Sequence, residues 1–150
     1  MILKRHVFIL EDDSDDRNIT EDILTESGLR VRITYFSEYG ELVTALRAGQ
    51  RPSLILMDYN SAQPLPVHEA LRKLKLIKSV RDIPVVVLGE VISHHSIAEC
   101  YANGAASYII KPSTMELTRH KIKVFFTYWS EVAETGSKIS SGIPEYQPAF

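Results

Sequence analysis

The run Leu54-Ile55-Leu56-Met57 is apolar at every position, has the length of a strand, and ends in a single carboxylate, Asp58. A strand with no polar alternation has no face to offer water, so it must be covered on both sides, as a central strand of a parallel α/β sheet is. In such sheets the carboxyl ends of the strands carry the reactive groups. A carboxylate placed there can accept a phosphoryl group, bind a metal or cap the following loop, and the choice depends on what else reaches the same edge.

The chain before this run repeats its pattern. His6 to Leu10 is a strand-length apolar run that stops at Glu11-Asp12-Asp13-Ser14-Asp15-Asp16. Arg17 to Ser27 spaces Ile19, Ile23 and Leu24 as a helix, with Ser14 read as its N-cap, Asp15 and Asp16 favouring the helix dipole, and Gly28 as its stop. Arg30 to Phe36 alternates like a half-exposed edge strand, and Glu38 to Ala48 follows as a helix closed by Gly49.

The same alternation continues after Asp58. Pro64 and Pro66 exclude regular structure from Ser61 to Pro66. The third helix has an apolar stripe of Leu71, Leu74 and Ile77 and a solvated basic face of Arg72, Lys73, Lys75 and Lys78. Ile83 to Leu88 reads as a strand ending at Gly89, Ser93 to Asn103 as a helix, and Ala106 to Ile110 as a strand ending at Lys111-Pro112. A long last helix runs from Thr114 to about Ala133, its aromatics read as core and Trp129 standing as a candidate partner contact. The expected division is a domain over residues 1–134 and a flexible tail over 135–150. Strand followed by helix five times predicts a three-layer, doubly wound, five-stranded parallel sheet.

Composition narrows the function classes. The 150 residues are 45% hydrophobic and 24% charged, enough for one domain with a real core. A net charge of −2 gives no general attraction to nucleic acid or an anionic membrane. The single cysteine, Cys100, reads as an inert packed thiol. The apolar run near the N-terminus is too short for a signal peptide or a membrane span, so a cytoplasmic location is expected.

Three strand ends bring titratable groups to one edge: Glu11 and Asp12, Asp58, and Lys111. Carboxylates that converge repel one another and need compensation, which a divalent cation and a lysine provide. Hard oxygen donors with room for water and phosphate suit Mg²⁺. In that setting Asp58 becomes a nucleophile toward a phosphoryl group, with the cation and Lys111 neutralising the phosphoryl oxygens.

This order of an acidic pair, an Asp and a Lys-Pro after strands one, three and five resembles the receiver domain of two-component response regulators, over roughly Leu3 to Val132. The resemblance implies the flavodoxin-like strand order 2-1-3-4-5. It implies Asp58 as phosphoacceptor, Lys111 as the phosphate-sensing lysine, and Glu11, Asp12, Asp58 and the backbone carbonyl of Asn60 as Mg²⁺ ligands. Tyr108 matches the aromatic switch of such domains. The implied partners are a sensor histidine kinase or phosphotransfer protein, a downstream protein on the face formed by helix four, strand five and helix five, and a second copy in a homodimer. The implied role is a stand-alone signalling module rather than an enzyme, with no DNA-binding domain in this chain.

Two positions depart from the family pattern. Gly89 stands where a Ser or Thr usually couples phosphorylation to the inward turn of the aromatic; without that hydroxyl, Tyr108 is expected in both rotamers. The missing bond to a charged acceptor is worth roughly 1.5 to 3 kcal/mol. The loop from Ser61 to His68 also lacks the family's proline and glycine positions. The alternative is therefore a degenerate receiver that binds partners without phosphorylation. A dehalogenase-type phosphatase would need an Asp where Asn60 stands, and an FMN carrier would not place an acidic loop after strand one. His94 and His95 have no evident ligand partner in the sequence, and His68 reads as a solvated loop residue.

Overall fold

The computed structural model describes residues 5–60 and 63–136. Five strands, β1 (Arg5–Leu10), β2 (Val31–Phe36), β3 (Leu54–Tyr59), β4 (Val85–Gly89) and β5 (Ser107–Ile110), form one sheet in the order β2-β1-β3-β4-β5. Every pairing is parallel. Five helices connect and follow them: α1 (Ser14–Ser27), α2 (Tyr39–Arg47), α3 (Val67–Leu76), α4 (His94–Ala102) and α5 (Met115–Thr127). The doubly wound architecture and strand order are those expected.

Alternate strand residues feed two cores. Phe8, Leu10, Ile55, Met57, Val85 and Val87 pack beneath α2, α3 and α4 with Leu42, Leu46, Leu71 and Leu74. Val7, Ile9, Leu54, Leu56 and Val86 turn to the other face and meet Leu24 of α1 and Phe125 and Phe126 of α5. All six residues of β3 are buried, as a central parallel strand requires.

Several local readings are corrected. The N-cap of α1 is Asp13, not Ser14: the Asp13 carboxylate accepts from the Asp15 and Asp16 N–H groups at 2.8 and 3.2 Å, and Ser14 is the first helical residue. Gly28 ends α1 at φ 65°, a conformation open to glycine. The α-helix at the end stops at Thr127 and gives way to one π-helical turn, Tyr128–Val132. Trp129 packs on the α1/α5 core, edge-on to the half-exposed Tyr128. Lys75 leaves the solvated basic face, since its ammonium donates to the carbonyls of Ile83 (2.8 Å) and Arg81 (3.1 Å), and burial lowers its pKa.

The chain after α5 returns to the amino end of β1. Arg5 donates to the Ala133 carbonyl (3.1 Å) and the Thr135 hydroxyl (3.3 Å) and pairs with Glu134 at 3.6 Å. Thr135, placed at the start of the expected tail, is thus held by β1, while residues 137–150 lie outside the described residues.

Candidate phosphoacceptor site

Asp58 is the fifth residue of β3 and is 7% exposed. Lys111 follows β5 directly; its N–H donates to the Gly89 carbonyl at 2.8 Å, which extends the ladder and aims the side chain back across the sheet edge. Its ammonium lies 2.6 Å from Asp58 Oδ1. Burial works against the Lys111 charge, but the hydrogen bond and charge of Asp58, then the charges of Glu11 and Asp16, outweigh it and raise its pKa.

Glu11 leaves β1 at the same edge and is also 7% exposed. Its N–H continues the ladder to Phe36 O at 2.9 Å, and its Oε1 accepts from the Asp13 N–H at 3.0 Å. Burial, followed by the hydrogen bond and charge of Asp58, pushes its pKa up to about 9. Burial and the neighbouring Asp58 thus favour the neutral form of Glu11.

Among the described residues, the acidic group whose oxygens all lie within 4.8 Å of one another is Glu11, Asp16 and Asp58. Asp12 does not belong to it and is exposed. Asp16, expected as a helix-dipole charge, belongs to it instead, and its pKa is raised, by burial first and by Asp13 second. The physical reason is the cap. With Asp13 at the N-cap, Asp16 is the third helical residue, the position from which a carboxylate reaches back toward the preceding strand end.

The donor set fits a hard divalent cation. It consists of carboxylate oxygens, and Asp58 Oδ1 is shielded from solvent with the Lys111 ammonium 2.6 Å away. The Asn60 carbonyl accepts from the Gln63 N–H at 3.2 Å. Arg17 was missed in the sequence. It donates from Nε to the Glu11 carbonyl at 2.7 Å, reaches Ser37 Oγ at 3.0 Å and lies over the Tyr35 ring, tying α1 to the ends of β1 and β2.

Gly89 is buried at the end of β4, and Tyr108 of β5 lies over it. A β-carbon at residue 89 would fall 3.0 Å from Tyr108 Cζ and closer still to the hydroxyl. That hydroxyl donates to the Glu90 carbonyl at 2.7 Å. Tyr108 stands in this one orientation, and the missing side chain at 89 makes room for it.

The profile of the response regulator receiver domain matches residues 7–123. The chain belongs to the response regulator receiver family. Among its curated relatives, the two-component response regulator ORR11 of Oryza sativa subsp. indica is 29% identical over 107 residues, covering 71% of each protein. The probable methanogenesis regulatory protein FilR2 of Methanothrix harundinacea is 32% identical over 78 residues, 52% of this chain and 50% of that protein. In structure, the receiver resembles the phosphorylated cyanobacterial phytochrome response regulator RcpA, with a TM-score of 0.78 and 24% identity over 90% of this chain and all of the other. It also resembles the Mn²⁺-bound response regulator Rcp1, with a TM-score of 0.78 and 18% identity over 89% of this chain and 99% of the other. Among the described residues of this receiver, no helix is long and apolar enough to cross a membrane.

Proposed function

We propose that Asp58 accepts a phosphoryl group from a phosphohistidine on a sensor histidine kinase or phosphotransfer protein. The observation that carries this reading is the 2.6 Å pairing of Lys111 with a buried Asp58 beside Glu11 and Asp16. A carboxylate oxygen of Asp58 forms the new O–P bond as the P–N bond breaks, and the imidazole leaves with the electron pair and takes up a proton. Lys111 passes from Asp58 to the incoming phosphoryl oxygens, keeping its charge in the site throughout. Glu11, Asp16 and Asp58 would hold Mg²⁺, to which the family pattern adds Asp12 and the Asn60 carbonyl; the ion supplies charge neutralisation at the phosphoryl oxygens. On this reading the protein is a signalling domain in the cytoplasm, and its chemistry is limited to gaining and losing its own phosphoryl group. The output is a downstream protein or a second copy on the face of α4, β5 and α5, where Tyr101, Ile110, Leu117 and Val124 are exposed.

One observation favours a second reading, a binding module indifferent to phosphorylation: Gly89 offers no hydroxyl to a phosphoryl oxygen, and Tyr108 fills the space beside it. A ligand that makes the same contacts in two states does not shift them. Titration with beryllofluoride and Mg²⁺, followed by amide NMR, separates the two. Shifts at Glu11, Asp58 and Lys111 that extend through Val91 to Tyr101 support a phosphorylation-driven output. Shifts confined to the acidic edge support the module that needs no phosphorylation, and no shifts at Asp58 contradict both the phosphoacceptor and its site.

A further inference from the structure

We propose that His68, His95 and Glu99 form a second cation site, for a first-row transition ion of the Zn²⁺ class, clasping α3 to α4. His68 lies in the first turn of α3, His95 in the first turn of α4, and Glu99 one turn further along α4. Glu99 Oε1 is 3.2 Å from His95 Nε2, and Oε2 is 3.6 Å from His68 Nδ1. Two imidazoles from two helices thus converge on one carboxylate. That donor set is the one zinc uses when three protein ligands leave a position open for water. Imidazole nitrogen also separates this site from the all-oxygen group at Asp58, which suits Mg²⁺.

The arrangement is one rotation short of a cation cage. His95 and Glu99 share a helix face by their spacing, and His68 is brought opposite by the packing of α3 on α4. The side chains of His68, His95 and Glu99 are 38%, 83% and 40% exposed. His95 is therefore open to solvent, and closing the site takes a rotation of its ring, because the three donors do not all lie within 4.8 Å of one another as they stand. The site lies beside functional ground. His68 follows Val67, which lines a groove with Glu90, Ile92 and Tyr108, so a bound ion ties together the two helices that flank the residues around Gly89. The inference stands apart from phosphorylation, since none of its ligands belongs to the acidic edge.

The test is a Zn²⁺ titration of the full chain, free of purification histidines and with Mg²⁺ in excess, by calorimetry and by NMR of the imidazole nitrogens. The expected result is one micromolar site that shifts the His68 and His95 rings. His68→Ala and Glu99→Gln should each weaken it about tenfold or more, while Asp58→Asn leaves it unchanged. All three ligands are partly or fully exposed, so the variants should keep the wild-type sheet amide spectrum. No binding at millimolar Zn²⁺, or binding that survives His68→Ala and disappears with Asp58→Asn, overturns the proposal.

Discussion

Tyr108 fills the space that a side chain on Gly89 would need, and its hydroxyl is fixed there by the Glu90 carbonyl at 2.7 Å. Gly89 closes β4, and Tyr108 is the second residue of the adjacent parallel β5, where Val87 pairs with Tyr108 and Gly89 with Ile110. A methyl group at 89 must therefore push the ring out. Overpacking of this kind costs about 1–3 kcal/mol. Gly89→Ala should be destabilising in the parent chain and close to neutral in a Tyr108→Ala background, as a double-mutant cycle measured by urea unfolding will read. Equal costs in both backgrounds would mean that the ring already leaves this space in solution. Gly89→Thr should likewise first turn Tyr108 outward.

The cap of α1 can be assigned by substitution. Asp13→Ala removes the acceptor for two helix N–H groups and should cost about 0.5–2 kcal/mol, while Ser14→Ala should change stability by only a few tenths. Chemical denaturation of both variants decides it. Because Asp13 also sets the position of Asp16, its loss should weaken Mg²⁺ binding as well.

Acid should weaken the β1–β2 edge through His6. Its pKa is held below the ordinary 6.5, by burial first and by the Arg32 guanidinium second. Arg32 donates to Nδ1 at 2.9 Å, which leaves the proton on Nε2 to donate to Thr34 Oγ1 at 2.7 Å. The unfolded chain takes up a proton at a higher pH than the folded one. The stability from neutral His6 is therefore complete above 6.5 and declines as pH falls from there to the folded pKa. His6→Gln should flatten the dependence of the urea midpoint on pH in that window, and an unchanged slope would place its cause elsewhere.

The fold was legible because the strands showed as apolar or alternating runs of strand length and the segments after them had helical spacing, with Gly28 and Gly49 closing the first two helices. Asp58, Glu11 and Lys111 were legible for the same reason: each lies at or just past the end of such a run. Asp16 was not, because its place depends on whether Asp13 or Ser14 caps α1, and both are good cap residues. The steric relation of Gly89 to Tyr108 needs the β4–β5 register, and that of His68 to Glu99 needs the packing of α3 on α4. Neither follows from local spacing.

Chemical trapping tests whether Asp58 is the phosphoacceptor. The protein is treated with acetyl phosphate and Mg²⁺, any acyl phosphate is reduced with borohydride, and peptide mass spectrometry locates the modified residue. Modification is expected at Asp58, requires the divalent ion and disappears in Asp58→Asn. Labelling that persists undiminished in Asp58→Asn would contradict that assignment.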